Sequence, residues 1–197
     1  MTAAAAASGP AGYTLAVALP AAGERGGWGG RVMAVSGDAF RDVMSHWATG
    51  VTVVTTCHDG EIHGMTVNSF SSLTVEPPLV LFCADQSAHT YGLVEASGVF
   101  AVNVLSARQE ELSNLFAGRY PERDADRFAG VAYRQAVTGA PILEGSLGYL
   151  DCRVVARYPQ GTHTIFVGAV AAAELLQPEA PPLLYYHRRY RQFRDHR

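Results

Sequence analysis

Small hydroxyl and amide side chains are concentrated in an otherwise apolar segment of the sequence, residues 63–72. Thr66, Asn68 and Ser69 lie there, followed by Ser71 and Ser72. On an alternating strand, Thr66 and Asn68 face one side, whereas Ser69 faces the other. A few polar groups among apolar ones are how proteins orient a bound small molecule. The segment is therefore a candidate binding strand.

A second polar segment, residues 85–90, directly follows the apolar run LVLFCA and opens a short predicted helix. The N–H groups of a helix N-terminus favour an anion. All 15 basic residues of the chain are arginines, so a phosphate must be held by Arg, His, hydroxyl or backbone N–H groups. Ser87, His89 and Thr90 could hold it. On the local pattern alone, an ordinary helix cap followed by a polar loop is the better-supported alternative.

Other chemistries find little support in the sequence. Without lysine, neither a Schiff base nor a P-loop can form. His58, Glu61 and His63 straddle a predicted turn and lack the spacing of metal ligands on a helix. Cys83 and His89 could be paired as nucleophile and base, but Cys83 closes an apolar strand, where cysteine usually behaves as a small hydrophobe. We therefore predict no metal site.

The composition indicates one globular domain. The chain has 197 residues, of which 48% are hydrophobic and 17% charged, and a net charge of −3, so nothing suggests nucleic acid as a partner. The three cysteines are widely spaced, which argues against a disulfide framework and favours the cytoplasm. No apolar run reaches the ~18 residues that span a membrane, so no membrane partner is predicted.

Residues 1–36 are rich in alanine and glycine and show little periodicity. They predict a flexible N-terminal tail, because the stretch GERGGWGG lacks the strand that precedes a dinucleotide-binding glycine loop. Residues 37–197 form the predicted domain. Asp38 can cap a helix that carries Phe40, Val43, Met44 and Trp47 on one face and ends before Gly50.

Most other segments predict strands. Val51–Cys57 is rich in β-branched residues, Asp59-Gly60 is a hairpin signal, and Ile62–Phe70 returns as a strand. Ser106–Gln109 resembles a capping box that starts a helix. Further strands are predicted over residues 79–84, 99–105, 149–158, 162–176 and 183–187. Many strands with few helices and no βαβ rhythm predict an antiparallel barrel with appended helices.

Three segments, residues 64–73, 76–83 and 100–105, resemble the short-chain flavin reductases, the reductase components of two-component flavin-dependent monooxygenases. The similarity covers roughly Asp38 to Tyr190. It implies a mainly β fold, a split antiparallel Greek-key barrel of FMN-binding type with peripheral helices, usually a homodimer. It also implies reduction of FMN or FAD by hydride transfer from NADH or NADPH, and a separate monooxygenase that receives the reduced flavin.

The resemblance also implies site residues, which fall into four groups. The strand along the flavin would contribute Gly64, Met65, Thr66, Asn68 and Ser69. The segment around the phosphate would contribute Cys83, Ala84, Asp85, Ser87, His89 and Thr90. The rest of the nucleotide would contact Ala117, Gly118 and Arg127. The nicotinamide side matches His163, Tyr185 and Tyr190, with His163 as the residue expected to orient the nicotinamide.

Some features depart from the family or allow other functions. His89 stands where the family often has serine or another small or basic residue, and residues 1–36 have no counterpart. His163 could simply be a partly exposed turn residue. Arg188 and Arg189 could contact dinucleotide phosphates. The alternatives are a flavin or haem carrier without catalysis, an oxidoreductase with a fixed flavin that acts on an organic substrate, and a purely structural barrel.

Overall fold

The computed structural model describes residues 35–193. The predicted tail, residues 1–36, lies outside this range except for Val35 and Ser36, so its flexibility stays a prediction. The described part contains three α-helices: α1 Gly37–Ser45, α2 His89–Ser97 and α3 Glu110–Phe116. A single 3-10 turn, Pro121–Arg123, follows α3. No described helix is long and apolar enough to cross a membrane.

Twelve strands make up about half of the described chain. They are β1 Thr49–Gly50, β2 Thr52–His58, β3 Glu61–Val67, β4 Phe70–Thr74, β5 Leu79–Asp85, β6 Val99–Val104, β7 Tyr133–Gln135, β8 Pro141–Leu143, β9 Gly148–Gln160, β10 His163–Leu175, β11 Leu183–Tyr186 and β12 Arg189–Gln192. Strands β11 and β12 pair as an antiparallel hairpin, called the C-terminal hairpin below.

The main sheet has seven strands in the order β3-β2-β6-β9-β10-β5-β4, and every pairing in it is antiparallel. Its two edge strands, β3 and β4, are separated by only Asn68 and Ser69. The Cys83 N–H donates to the Ser69 carbonyl at 3.3 Å, so the sheet curls until its edges approach. The predicted fold class, a mainly β split antiparallel barrel with peripheral helices, is confirmed.

Two apolar clusters lie on opposite sides of β2. Val54 belongs to the cluster inside the barrel, with Phe82, Phe100 and Phe166. Val53 belongs to a second cluster that includes Phe116 of α3. Since successive side chains of a strand point to opposite faces, β2 is buried on both sides. This explains why its sequence is a continuous β-branched run.

The predicted strand Ile62–Phe70 is wrong as one element, because the chain divides it into β3 and β4. Phe70 pairs with Phe82 across β5, whereas Val67 pairs with Thr52 across β2. Phe70 also packs against the cluster inside the barrel. The packing of Phe70 in the barrel interior thus ends β3 and starts a new strand, although the local sequence pattern predicts a single strand. Strands β1, β7, β8 and β12 were not predicted.

Both predicted helices need correction: α1 begins at Gly37, so Asp38 lies in its first turn instead of capping it, and α3 begins later than expected. Helix α1 ends at Ser45, before Trp47, and its apolar face is not covered in the described chain: Phe40 is 60%, Val43 73% and Trp47 68% exposed. At α3, the helix begins only after Gln109. The Gln109 side-chain oxygen accepts the Ser106 N–H at 3.0 Å, which is half of a capping box.

Candidate active site

A cavity of about 200 Å³ opens between β3, the chain after α3 and the C-terminal hairpin. Four separate parts of the sequence meet there. It is lined by Val51, Thr66, Asn68, Ala117, Arg119, Tyr185 and Tyr190. Five of these residues were predicted site residues, and the structure brings them together. Val51 and Arg119 were not predicted.

Buried Ser113 of α3 connects two walls of the cavity. The Thr66 hydroxyl donates to the Ser113 carbonyl at 2.6 Å, and the Ser113 and Tyr190 hydroxyls lie 2.8 Å apart. Tyr185 and Tyr190 are cross-strand partners in the hairpin, with ring centroids 5.5 Å apart in an edge-on arrangement. Cross-strand aromatic pairs stabilise each other. Helix α3 therefore fixes the polar wall on β3 and the aromatic wall on the hairpin relative to each other.

Arg119 places a positive charge at the cavity. Its guanidinium carbon lies 5.8 Å from the centre of the Tyr190 ring, a distance at which a cation is attracted to an aromatic face. Among the described residues, it takes part in none of the ion pairs. The predicted site residues Ala117 and Gly118 directly precede Arg119, which was not predicted. The available signal was that arginine is the only permanently cationic side chain in this sequence.

Gly64, Gly118 and Arg127 lie together behind this cavity, packed against protein groups. A Cβ on Gly64 would lie 3.0 Å from two ring carbons of Phe116. The Arg127 guanidinium donates to the Gly64 and Phe116 carbonyls at 3.4 and 3.1 Å and pairs with Asp124 at 2.8 Å. Gly118 has φ +70°, and Arg127 approaches within 3.0 Å of where its Cβ would be. These contacts tie β3 to the chain around α3.

A second group of predicted residues lies where β5 and β10 pair, and none of it lines the cavity. Asp85 is opposite His163 in the register. The Asp85 carboxylate accepts the Ser87 N–H at 2.8 Å and the Ser87 hydroxyl at 2.7 Å. These bonds hold the pKa of Asp85 below its usual value. Because Asp85 occupies the Ser87 donors, a phosphate at Ser87 would have to displace this carboxylate.

A third group joins the start of β3 to the start of α2. The His63 Nδ1 lies 2.8 Å from the hydroxyl of buried Thr90, and His89 pairs with Glu61 at 2.5 Å. Burial, with the nearby charge of Arg127, lowers the pKa of His63 to about 4, so His63 is neutral at pH 7. Thr90 and His89 therefore both have protein partners at this point.

The remaining predicted residues are close to the turn between the barrel edges. The Ser69 hydroxyl donates to the Cys83 carbonyl at 3.0 Å. Met65 and Ala84 belong to the packing of the barrel interior. No set of three or more potential metal ligands gathers anywhere in residues 35–193.

The cavity's lining fits the ring system of a planar, polar-edged ligand. Two tyrosine rings and Val51 supply apolar surface, Asn68 and Thr66 supply a polar edge, and Arg119 supplies a cation. Sites for cofactors combine such surfaces with a few polar groups. The cavity is smaller than the ~300 Å³ of a typical ligand site, so it can enclose a ring, with the rest of a nucleotide outside.

Comparisons with known proteins agree with this reading. The sequence profile of the flavin reductase like domain matches residues 44–194. The reductase subunit HsaB of a flavin-dependent monooxygenase from Mycobacterium tuberculosis is 41% identical over 152 residues, which are 77% of this chain and 79% of that protein. The FMN reductase (NADH) RutF 2 of Methylorubrum extorquens is 41% identical over 159 residues, covering 80% of this chain and 90% of the relative.

A solved structure has a similar fold. The NADH:FAD oxidoreductase SgcE6 of Streptomyces globisporus, in complex with NAD and FAD fragments, superimposes with a TM-score of 0.73 at 37% identity. The match covers 80% of this chain and 92% of that chain. Both the sequence and the fold are therefore similar to those of flavin reductases.

Proposed function

The chain belongs to the flavin reductase like family, and we propose on this basis that it oxidises NADH or NADPH and reduces FMN or FAD. It is an NAD(P)H-dependent flavin reductase. The observation that carries the proposal is the cavity where Thr66, Asn68, Tyr185 and Tyr190 meet. Four residues selected from the sequence as flavin or nicotinamide contacts thus share one site.

The resemblance placed Tyr185 and Tyr190 on the nicotinamide side, but they share the cavity with Thr66 and Asn68, so we assign all of these residues to the flavin ring, which they would bind and orient. The flavin, when bound, supplies the acceptor for hydride from the nicotinamide. Tyr185, Tyr190 and Val51 provide apolar surface that excludes water, and Asn68 provides amide hydrogen bonds to the polar edge. Arg119 favours negative charge at this cavity, and a reduced flavin carries more negative charge than an oxidised one. The protein's contribution is alignment and electrostatics.

Within the β5–β10 group, we assign His163 to the nicotinamide nucleotide, whereas Asp85 and Ser87 keep the role at the flavin phosphate that the resemblance implied. His163 is exposed at the start of β10, and its carbonyl accepts the Gln86 side-chain amide at 3.2 Å. Asp85, paired opposite it, is part of the same surface. We assign His163 the role of orienting the nicotinamide amide. Of the two arginines that the sequence offered for dinucleotide phosphates, Arg188 is already paired with Asp42, and we assign that role to Arg189.

The reduced flavin is passed to a separate flavin-dependent monooxygenase. Similar proteins include the reductase subunit of such a monooxygenase and the reductase component of a 4-nitrophenol monooxygenase system. The flavin reductase component of a two-component tryptophan halogenase has the same fold, with a TM-score of 0.74. A two-component system is therefore the setting that these relatives support.

We also propose a homodimer located in the cytoplasm. Phe40 and Val43 of α1, with Trp47 just beyond its end, are exposed in the single chain, and exposed apolar surfaces of this kind mark interfaces. The three cysteines are free thiols, which fits a reducing compartment. Sedimentation of the full chain tests the dimer: a monomer at micromolar concentration contradicts it.

Absorbance of the reduced nicotinamide tests the function. The purified chain is mixed in air with NADH or NADPH, and with FMN, FAD or no flavin. We expect loss of the absorbance band that depends on both protein and added flavin. If flavin binds but no combination consumes nicotinamide, the chain is a carrier or a fixed-flavin enzyme, and the proposal is wrong.

A further inference from the structure

Helix α1 contacts the C-terminal hairpin at its turn. The Arg188 guanidinium pairs with Asp42 of α1 at 2.8 Å. The His187 N–H donates to the carbonyl of Ser45, the last residue of α1, at 2.6 Å. The rings of His46 and His187 lie 4.8 Å apart. A hydrogen bond, an ion pair and a ring contact thus join the end of α1 to two consecutive turn residues.

The two turn residues have an unfavourable backbone conformation. His187 has φ +51° and Arg188 has φ +59°. Two-residue hairpin turns with positive φ at both positions strongly prefer asparagine, aspartate or glycine, and other residues pay a steric cost there. The turn sequence does not favour this geometry by itself. The contacts with α1 therefore stabilise a turn conformation that the turn's own residues disfavour.

The same hairpin carries an aromatic wall of the cavity. Tyr185 lies two residues before His187, and Tyr190 lies two residues after Arg188, each on a strand that leads directly to the turn. Both line the cavity, and they are register partners. A shift of the turn relative to the rest of the chain changes where these rings lie. The position of the turn therefore determines the position of the two tyrosine rings in the cavity.

We propose that Asp42 and Arg188 are positioning residues of the flavin site: their ion pair fixes the hairpin turn on α1 and so places Tyr185 and Tyr190. This inference rests on the proposed function, because it assigns the cavity to the flavin. Neither residue lines the cavity, so their effect on binding is indirect. By reciprocity, a ligand that favours the placed hairpin also favours docking of α1.

The chain provides a matched control. Asp38 also lies on α1, but it pairs with Arg41 of the same helix at 2.5 Å. Asp38→Asn removes the same charge from the same helix and leaves the hairpin contact intact. Asp42→Asn removes the hairpin contact. Arg188→Gly removes it from the other side while suiting the positive φ, so this variant keeps the hairpin itself stable.

The first measurement is hydrogen exchange of the full chain without ligand. Asp42→Asn should raise exchange over Leu184–Gln192 by about two- to fivefold, the range supported by an exposed ion pair, and Asp38→Asn should not. High salt should reduce the difference, because the two side chains are 59% and 71% exposed. Unchanged exchange of the hairpin in Asp42→Asn overturns the proposal.

The second measurement is the dissociation constant for FMN, followed by flavin fluorescence. Asp42→Asn and Arg188→Gly should each weaken binding by about two- to fivefold, and the double variant should be no weaker than either single one. FMN should also slow exchange at His46 and Trp47 in the wild type. Unchanged binding in Asp42→Asn, or additive losses in the double variant, overturns the proposal.

Failure of the proposed function is distinguishable from failure of the positioning role. A wild-type chain that binds no flavin refutes the function, and with it the assignment of the cavity. The exchange measurement needs no ligand, and it still decides whether Asp42 holds the hairpin. Binding by the wild type with no difference between Asp42→Asn and Asp38→Asn refutes only the positioning role.

Discussion

Replacing Gly64 by alanine should destabilise the chain before any ligand is added. The new Cβ would lie 3.0 Å from two ring carbons of Phe116 and 3.2 Å from the Thr55 methyl group. Neither neighbour can move easily. Phe116 is 1% exposed and Thr55 is fully buried, and the Thr55 hydroxyl is bonded to the Pro141 carbonyl at 2.5 Å. The methyl group therefore overpacks the contact between β3 and α3.

The size of the effect follows from two opposing contributions. Overpacking of a well-filled core costs about 1–3 kcal/mol. Alanine also restricts the unfolded chain, which stabilises by about 0.4–1 kcal/mol. Overpacking prevails, so we expect a net loss of roughly 1–2 kcal/mol. For a chain of this size, that loss corresponds to a Tm lower by about 2–8 °C.

Urea denaturation of wild type and variant measures this loss. Gly92→Ala is the control, because Gly92 lies within α2 and its Cβ would meet nothing within 4 Å. That variant should be stabilised by about 0.5–1 kcal/mol. If Gly64→Ala is as stable as wild type but binds FMN weakly, the glycine serves the ligand, as the resemblance implied, and the packing argument is refuted.

Three further substitutions test separate parts of the site. Arg119→Gln should weaken binding of reduced flavin more than binding of oxidised flavin, because the lost charge favours the more anionic form; a redox titration of bound FMN measures this, and an equal loss for both forms contradicts it. His163→Ala should raise the KM for nicotinamide more than the KM for flavin, whereas steady-state kinetics with equal increases would disprove the orienting role. The pKa of His63 in the folded chain is about 4, below its ordinary value of 6.5. As the pH falls, His63 is therefore protonated in the unfolded chain before it is protonated in the folded one, and the folded chain loses stability between about pH 6.5 and pH 4. Urea midpoints across that range should vary less in His63→Gln than in wild type, and parallel curves would count against this effect.

Short sequence patterns correctly predicted those turns and strands whose conformation depends on neighbouring residues. Asp59-Gly60 forms the expected turn, with φ +49° and +86°, because both residues tolerate positive φ. The turn at His187 and Arg188 could not be predicted in this way, since neither residue favours that conformation. Its geometry depends on α1, which lies about 140 residues earlier in the chain. Contacts over such separations leave no local pattern.

The site residues likewise fall into those that the sequence alone indicates and those that only the folded chain brings together. Thr66 and Asn68 were identified from the local polar pattern and from the resemblance to a known family, and Tyr185 and Tyr190 from the resemblance alone, whereas Arg119 required the folded chain. Its position over Tyr190 depends on how the end of α3 meets the hairpin. Ser113 illustrates the same limit, because its role as a link between Thr66 and Tyr190 cannot be distinguished in the sequence from an ordinary helix residue.

The alternation of β3 restricts how a flavin can lie along it. Gly64 and Thr66 face α3, whereas Met65 packs into the barrel. A ligand cannot contact all of these side chains from one face. However, β3 is an edge strand of the main sheet and has only β2 as a hydrogen-bonded neighbour there. Its outer backbone N–H and C=O groups are not used by another strand of that sheet, although Arg127 already donates to the Gly64 carbonyl. We expect a flavin that runs along this edge to meet backbone at every second residue, which would allow residues of both faces to belong to one binding strand.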